Sequence, residues 1–213
     1  MLLEPEERDR AARFRFDHLQ HAFILARGGL RVLLGCYLGV CPAAVQFTYG
    51  SKGKPTLSGG SVEFNVSHSG GLAVFAFTFG CEIGVDVEQI RSLPDMLEIA
   101  SQFFCVEETA ELMALPAGER ERAFFLCWTR KEAYIKATGD GLSAPLDSFR
   151  VALRPGAPAR FVHFKHDASA AASWTLHDLS LTPAHAGALA YRDAPRSVLV
   201  QPVIESAELL AGL

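Results

Sequence analysis

The sequence predicts an α+β fold made of two similar α/β halves, residues 1–89 and 90–213, which are related by a pseudo-twofold axis and enclose a cleft. Composition indicates a globular chain, because 49% of the 213 residues are hydrophobic and 21% are charged. Each half is predicted to contain a long helix followed by strands and a hairpin. The run 62–77 also weakly parallels the run 173–191, as expected if the halves are related.

Charge, hydropathy and cysteine content exclude several classes of protein. The chain has 20 Lys and Arg against 24 Asp and Glu, a net charge of −4, which argues against nucleic-acid binding as its main activity. We find no apolar run of about 18 residues and therefore expect no membrane span. The charged N-terminus does not resemble a signal peptide. The five cysteines include no C-x-x-C motif, so we expect reduced, mostly core cysteines in a cytoplasmic protein.

In the first half, the pattern predicts two helices and a hairpin. Residues 5–13 begin with a proline and place acidic residues before basic ones, which the helix dipole favours. Residues 16–38 carry apolar side chains at broadly helical spacing. The runs 62–66 and 72–79 indicate the two strands of a hairpin.

Basic and hydroxyl-bearing residues of the first half are candidates for binding phosphate. Arg27 and Arg31 lie four residues apart on the predicted second helix, and residues 51–55 form a turn with two lysines. Ser67 and His68 follow a strand, where they could donate hydrogen bonds to a phosphate. An ordinary surface role is the alternative for each of them, so a phosphate site is indicated only if they converge.

In the second half, a linker precedes three predicted helices and a series of strands. The helices are expected at residues 94–104, 107–115 and 119–138. Gly139 follows the third helix, as is typical just past a helix end. The strands are expected at residues 148–153, 160–165, 173–181, 186–191 and 197–200.

The strand at residues 83–88 places two carboxylates on one face. Asp86 and Glu88 point one way, while Ile83, Val85 and Val87 point the other. Neighbouring carboxylates repel each other, which a solvated edge tolerates and a hard cation such as Mg²⁺ relieves.

The helix at residues 119–138 offers a third carboxylate. Trp128, Glu132 and Lys136 are four residues apart and therefore share a helix face. The spacing E-x-x-x-K alone is more typical of a surface ion pair. If Glu132 joined the strand carboxylates, the site would have three oxygen ligands for Mg²⁺, with its other positions on water and phosphate.

Four motifs in register resemble the Sfp-type 4′-phosphopantetheinyl transferases, over about residues 4–153. They are Gly53–Pro55, Phe64–Ser69, Ile83–Glu88 and Trp128–Lys136, and the last is closed by Gly139–Leu142. Each motif alone is modest, but four in this order make the resemblance specific.

This resemblance implies transfer of the 4′-phosphopantetheine of coenzyme A to a serine of an apo acyl or peptidyl carrier protein, with Mg²⁺ bound and adenosine 3′,5′-bisphosphate released. The active site would lie in the cleft between the halves. We expect a cytoplasmic monomer with no nucleic-acid or membrane partner. The carrier could belong to fatty acid, polyketide or non-ribosomal peptide synthesis.

The resemblance also implies roles for residues. Asp86, Glu88 and Glu132 would hold Mg²⁺, and Asp86, Glu132 and Lys136 would be catalytic. Glu132 would take the proton of the carrier serine, and Lys136 would neutralise or protonate the leaving phosphate. Coenzyme A would contact the following residues: Arg31, Lys52, Lys54, Pro55, Ser67, His68, Asp86, Glu132 and Lys136. Phe103 and Phe104 match the surface that receives the carrier.

The chain departs from the family in two places. Members normally begin with a strand before the helix at residues 5–13, so we expect either a late start at Met1 or a shortened first sheet. Cys105 replaces a frequent serine, a change that we expect to matter little.

Two other functions use the same residues. A metal-dependent hydrolase of coenzyme A-like pyrophosphates would need the same carboxylates together with a positioned water, and it would not depend on a carrier. A non-catalytic module that binds carrier or nucleotide would be favoured by loss of a metal carboxylate, and none is lost.

Overall fold

The structure, a computed structural model, describes residues 2–60, 62–141, 144–166 and 170–211. The chain divides into two compact units. The first comprises residues 1–48, 57–62 and 199–213, and the second comprises residues 49–56 and 63–198. The mixed α+β class is confirmed. The predicted boundary after residue 89 falls inside the second unit, and this boundary, the pseudo-twofold axis and the cleft stay predictions.

Helices dominate the first unit. They are α1 (Pro5–Ala12), α2 (Asp17–Leu38) and α7 (Ser206–Ala211), and a 3₁₀ turn spans Pro42–Ala44. Both α1 and α7 pack against α2. Gly39 ends α2 in the left-handed conformation (φ 66°), which glycine adopts without steric cost. The two helices predicted at the start of the chain are therefore confirmed.

Helix α2 bears on the expectation that no segment spans a membrane. Contrary to that expectation, it contains an 18-residue window with a mean hydropathy of 1.2, which is long and apolar enough to cross a membrane by length and composition. Of that window, 39% is buried within the protein, and the core helix of a soluble protein passes the same test. The helix is weak support for a membrane span, and the absence of one stays a prediction.

Strands and helices mix in the rest of the chain. The strands are β1 (Phe47–Tyr49), β2 (Pro55–Leu57), β3 (Val62–Ser69), β4 (Leu72–Phe79), β5 (Ile83–Gln89), β6 (Phe149–Val151), β7 (Phe161–Phe164), β8 (Thr175–Asp178) and β9 (His185–Tyr191). The helices are α3 (Met96–Phe103), α4 (Val106–Ala114), α5 (Ala117–Thr138) and the short α6 (Ala170–Ser173), with a 3₁₀ turn at Leu146–Ser148.

The central sheet of the second unit has the strand order β5-β9-β8, and both pairings are antiparallel. Helix α5 packs on β5 and β9. The opposite face of β5 carries Ile83 and Val85, which pack with Leu189 and Tyr191 and with partly buried residues of β4. Because both faces of β5 are covered, this strand is the most enclosed part of the site described below.

Gly84 allows helix α5 to approach strand β5 closely. A Cβ atom on Gly84 would lie 2.1 Å from the carbonyl oxygen of Ala133 and 2.3 Å from the amide nitrogen of Ala137. These are backbone atoms of α5, so any side chain here would push the helix off the strand. The glycine thus sets the distance between the two elements that carry the acidic residues.

Three sequence predictions are wrong in detail. Residues 197–200 form no strand, because this apolar run has no strand to pair with among the described residues. Ser67 and His68 lie within β3 and not beyond its end. All five cysteines are free, as predicted, but only Cys105 and Cys127 are buried, so the cysteines are not mostly core residues.

Candidate active site

The predicted acidic residues line one cavity of about 320 Å³ in the second unit, which we call the acidic pocket. Its walls come from β3, β5 and α5. They are formed by Val66, Ser67, His68, Asp86, Glu88, Trp128, Glu132 and Lys136. The structure therefore brings together all three predicted metal carboxylates and the predicted lysine, and it confirms that Trp128, Glu132 and Lys136 share one helix face.

Two ion pairs of α5, one of them fully buried, fix which face the helix turns to the pocket. Arg130 makes two hydrogen bonds to Asp178, at 2.8 and 2.6 Å. Lys131 pairs with Glu108 at 2.8 Å, and both side chains are fully buried. Removing one partner of such a buried pair would leave an uncompensated charge. Since Arg130 and Lys131 are anchored in these contacts, Glu132 is oriented toward the acidic pocket.

Asp86 is the most buried carboxylate of the pocket, with 3% of its surface exposed. Its Oδ1 accepts hydrogen bonds from Lys136 Nζ at 2.6 Å and from Ser67 Oγ at 2.9 Å. Its Oδ2 is buried without a hydrogen-bond partner among the described residues. The sequence interpretation allowed a solvated strand edge, but helix α5 covers this face.

Glu132 is similarly short of partners. It is 7% exposed, and its Oε1 is buried with no hydrogen-bond partner in the described part of the chain. Burial and repulsion from Asp86 raise the pKa of Glu132 above its usual value, and Lys136 counteracts them only partly. Burial also raises the pKa of Asp86, although Lys136 and Ser67 oppose the rise. In both groups the pKa is raised mainly by burial, and Lys136 does not offset the rise.

A ladder of side chains joins β3 to β5. Asn65 Oδ1 accepts a hydrogen bond from the amide of Val85 at 3.0 Å, and Ser67 Oγ accepts one from the amide of Val87 at 3.3 Å. Ser69 Oγ accepts the next, from the amide of Gln89, at 3.1 Å. Alternate residues of β3 thus satisfy alternate amides of β5, as the period of two along a strand permits. The ladder fixes the position of the strand that carries Asp86 and Glu88.

A second cavity of about 380 Å³ adjoins the acidic pocket and shares Val66, Glu132 and Lys136 with it. We call it the lysine pocket. Its remaining walls include the predicted coenzyme A residues Lys52, Lys54 and Pro55. The closing motif contributes Gly139 and Gly141, whereas Leu142 lies outside the described residues.

Lys54 has a structural role that the sequence did not reveal. Its Nζ donates hydrogen bonds to the carbonyl oxygens of Ala137 at 2.7 Å and Ile83 at 3.1 Å. It therefore satisfies a carbonyl in the last turn of α5, where cations are favoured. Burial lowers the pKa of Lys54, and Glu63 and Glu82 oppose this shift. The ammonium ties α5 to β5 at the edge of the lysine pocket.

Arg31 lies in the first unit, in what we call the arginine cluster: Glu4, Glu7, Arg27 and Arg31. Arg31 is fully buried, and its Nε donates to Glu7 Oε2 at 2.8 Å. Its Nη1 donates to the carbonyl oxygens of Pro42 and Val45, and its Nη2 lies 3.1 Å from Glu4 Oε2. Protein groups thus surround the Arg31 guanidinium. The expected contact of Arg31 with coenzyme A stays a prediction.

Glu7 contrasts with the pocket carboxylates. It also contacts Arg27, whose guanidinium lies 3.7 Å from the centre of the Phe47 ring. Burial acts to raise the pKa of Glu7, but hydrogen bonds from Arg31, the backbone of Glu4 and Arg27 outweigh burial and hold this pKa below its usual value.

The acidic pocket fits a divalent cation that also binds substrate phosphate. Among the described residues, no group of three or more His, Cys, Asp or Glu side chains is arranged to hold a metal ion, so the predicted set of three carboxylate ligands stays a prediction. Mg²⁺, however, is usually bound by one or two carboxylates together with water and phosphate oxygens. The unpartnered oxygens of Asp86 and Glu132 suit that kind of site, because a buried carboxylate oxygen without a partner is costly.

Sequence reasoning assigned no role to Asn65 or Ser69, which position β5, or to Arg130 and Lys131, which orient α5. Asn65 and Ser69 alternate with Ser67 in the strand pattern, and that spacing indicates that the three side chains share one face of β3. Charged residues in a helix usually indicate a solvated face, so the burial of Arg130 and Lys131 had no indication in the sequence.

Comparison with known proteins identifies the family of this chain. The family model described as the 4′-phosphopantetheinyl transferase superfamily matches residues 82–190, more than half of the chain. A second model, described as 4′-phosphopantetheinyl transferase, N-terminal, matches residues 1–79.

Two curated relatives extend the similarity. The 4′-phosphopantetheinyl transferase HetI of Nostoc sp. is 41% identical over 181 residues, which cover 83% of this chain and 73% of HetI. The 4′-phosphopantetheinyl transferase Sfp of Bacillus subtilis is 34% identical over 152 residues, which cover 71% of this chain and 66% of Sfp. The crystal structure of Thermotoga maritima holo-acyl-carrier-protein synthase gives a TM-score of 0.42 at 18% identity, over 55% of this chain and 66% of that chain. On the family models and the curated relatives, the chain belongs to the 4′-phosphopantetheinyl transferase superfamily and is an enzyme of the HetI and Sfp type.

Proposed function

We propose that this enzyme transfers the 4′-phosphopantetheine of coenzyme A to a serine of an apo carrier protein. The serine oxygen forms a bond to the phosphorus that carries the pantetheine, the bond from that phosphorus to the bridging oxygen breaks, and adenosine 3′,5′-bisphosphate leaves. The observation that carries the proposal is the excess negative charge of the acidic pocket, with unpartnered carboxylate oxygens on Asp86 and Glu132. That charge suits a cation and pyrophosphate together.

Glu132 is the proposed general base. A serine hydroxyl is a weak nucleophile until a base takes its proton. Without a bound cation, burial and repulsion from Asp86 raise the pKa of Glu132. Because the unpartnered Oε1 is assigned to the cation, Oε2 of the same carboxylate is the atom proposed to receive the proton.

Lys136 is the proposed partner of the leaving group. Its ammonium contacts Asp86 Oδ1 and Ser67 Oγ, and its side chain is 30% exposed at the pocket. From this position it neutralises or protonates the phosphate that departs with the adenosine. Until substrate arrives, the same ammonium offsets part of the charge of Asp86.

Asp86, Glu88 and Glu132 are the proposed ligands of Mg²⁺. Bound there, Mg²⁺ would neutralise charge on the pyrophosphate oxygens. The residues around the lysine pocket, namely Lys52, Lys54 and Pro55, are proposed to bind coenzyme A with Ser67 and His68. His68 is exposed at the acidic pocket and is therefore accessible to a phosphate.

The proposed carrier surface centres on Phe103. This ring is 38% exposed, whereas Phe104 is 3% exposed, so Phe103 alone of the pair presents an accessible apolar face. The Phe103 ring stands edge-on to Trp128, with centroids 6.0 Å apart, and Trp128 lines the acidic pocket. A carrier docked on Phe103 would bring its serine toward Glu132. We also propose that the enzyme is cytoplasmic, because the carrier would then be made and modified in the same compartment.

Mass spectrometry of an apo carrier protein after incubation with enzyme, coenzyme A and Mg²⁺ tests the proposal. We expect the carrier to gain the mass of one phosphopantetheine, and we expect EDTA to prevent the gain. A carrier whose acceptor serine is replaced by alanine serves as the matched control. No gain across acyl and peptidyl carriers, or hydrolysis of coenzyme A without a carrier, would contradict the proposal.

A further inference from the structure

Ser69 touches a proposed metal carboxylate without being a ligand itself. Its Oγ donates a hydrogen bond to Glu88 Oε2 at 2.7 Å. We propose that Ser69 is a positioning residue that holds the Glu88 carboxylate in place for a divalent cation. This inference rests on the proposed function and adds to it a residue to which no role was assigned.

The hydrogen-bonding capacity of the hydroxyl supports this role. A serine hydroxyl has one proton to donate and two lone pairs that accept. Ser69 gives its proton to Glu88 and accepts from the amide of Gln89. It has no second proton for a substrate phosphate, so it acts on Glu88 and not on coenzyme A.

The neighbouring rung of the ladder repeats the pattern. Ser67 donates its proton to Asp86 at 2.9 Å and accepts from the amide of Val87 and from Lys136. Two serines at alternate positions of β3 thus each hold one carboxylate of β5 while each satisfies a backbone amide. Asn65, one rung earlier, contacts the Val85 amide, where β5 has no carboxylate to position. The serines therefore coincide with the two acidic positions of the strand.

The donor to Glu88 is neutral, unlike the ammonium that pairs with Asp86. A lysine or arginine bound to Glu88 would cancel the charge that attracts the metal, whereas a hydroxyl orients the carboxylate and leaves its charge in place. Hydrogen-bond donors behind metal ligands act in this way, and their loss typically weakens metal binding or activity by about 10- to 100-fold. Because Glu88 and Ser69 are only partly buried, we expect the lower end of that range.

The test measures the binding of Mn²⁺, which serves as a probe for Mg²⁺. The electron paramagnetic resonance signal of the free ion reports how much Mn²⁺ is unbound. The enzyme is held with saturating coenzyme A and no carrier. Ser69→Ala should raise the Mn²⁺ dissociation constant about 10-fold. Ser69→Thr, which keeps the hydroxyl, should restore wild-type affinity. Ser101→Ala removes a hydroxyl from the exposed surface of α3 and should have no effect. The affinity for coenzyme A in EDTA should be equal in all four proteins.

A double-mutant cycle links the effect to Glu88. In a Glu88→Gln background, Ser69→Ala should change the Mn²⁺ dissociation constant by less than about twofold, because the positioned carboxylate is gone. A Ser69→Ala enzyme that binds Mn²⁺ as tightly as wild type would overturn the inference alone. The inference would also be overturned if Ser69→Thr did not restore the Mn²⁺ affinity. It would be overturned too if Ser69→Ala weakened Mn²⁺ binding as much in the Glu88→Gln background as in wild type. If the wild-type enzyme bound no Mn²⁺ saturably, or if Asp86→Ala bound Mn²⁺ as tightly as wild type, both this inference and the proposed metal site would be overturned.

Discussion

The arginine cluster and the acidic pocket both bury charge, but only the first is balanced. In the arginine cluster, two guanidinium groups meet two carboxylates, and Arg31 Nη1 donates to two backbone carbonyls. Arg31 Nη2 lies 3.1 Å from Glu4 Oε2 but makes no hydrogen bond within the described part of the chain. In the acidic pocket, three carboxylates face one ammonium, and two carboxylate oxygens have no hydrogen-bond partner among the described residues.

Burial acts to raise the pKa of carboxylates in both regions, and only in the arginine cluster do hydrogen bonds and nearby cations outweigh it. The pKa of Glu7 in the arginine cluster is lowered, whereas the pKa values of Glu132 and Asp86 in the acidic pocket are raised. A balanced cluster stabilises the fold at neutral pH, and an unbalanced one costs stability that a bound cation would recover. The comparison teaches that charge balance, rather than burial, separates a structural cluster from a site prepared for a ligand.

Among the changes that test the comparison of the two clusters, the largest effect is expected on the turnover of Asp86→Ala. Asp86→Ala removes the most buried carboxylate of the pocket and should lower the turnover number by about 1000-fold, because a metal ion supplies several kcal/mol of transition-state stabilisation. Asp147→Ala, which breaks an exposed pair with Lys165, should leave turnover unchanged. Rates of carrier modification measure both, and an active Asp86→Ala enzyme would refute the metal assignment.

Glu7→Gln breaks the balanced cluster. It leaves the buried Arg31 and the partly buried Arg27 without their shared carboxylate and should lower the free energy of unfolding by about 3 kcal/mol. Glu6→Gln, an exposed change on the same helix, should alter this free energy by less than about 0.5 kcal/mol. Urea unfolding followed by circular dichroism measures both variants. Equal stability of the two would show that the arginine cluster is not structural.

Glu132→Gln should have the opposite effect on stability. Removing a repelled carboxylate should raise the free energy of unfolding by about 1 kcal/mol in the absence of metal, as is common for relief of a strained functional site. The same change should lower turnover by about 100-fold or more while affecting coenzyme A affinity much less, because it removes the base. Glu119→Gln on the same helix is the exposed control. Equal losses in turnover and coenzyme A affinity would instead indicate a structural role for Glu132.

The pH dependence of these stability changes should separate the two regions. Because the folded-state pKa of Glu132 is raised, its cost to stability should appear as the pH rises above the ordinary glutamate value of 4.5. Because the folded-state pKa of Glu7 is lowered, its contribution is complete above 4.5 and is lost as the pH falls below that value. Unfolding of both Gln variants from low to neutral pH tests this order. A common pH window for the two would contradict the assigned charge states.

The smallest expected effect concerns His68. His68→Ala should weaken coenzyme A binding by roughly 10-fold, the value of about one hydrogen bond to a charged group. His166→Ala removes another exposed histidine and should have no effect. Calorimetric titration with coenzyme A measures both, and an unchanged affinity in His68→Ala would remove this residue from the binding site.

The sequence predicted the elements of the site better than their surroundings. Alternation in β5 and the spacing of Trp128, Glu132 and Lys136 in α5 identified the faces that meet, because each pattern follows the period of its own element. Nothing local indicated that α5 would bury Asp86, or that Lys54 would bind the end of α5 and a β5 carbonyl. These facts depend on which elements pack together, and Gly84 shows how one position sets that distance.

Thermal unfolding of the wild-type enzyme with increasing Mg²⁺, at fixed coenzyme A and without a carrier, tests the central claim most directly. We predict that Mg²⁺ at 100 times its dissociation constant stabilises the enzyme by about 2.7 kcal/mol, or roughly 5–10 °C in Tm. Glu7→Gln should begin from a lower Tm and keep the full shift, whereas Asp86→Ala should lose it. An unchanged Tm in the wild-type enzyme, or an equal rise in the Tm of Asp86→Ala, would contradict the claim that the excess negative charge of the acidic pocket binds a cation.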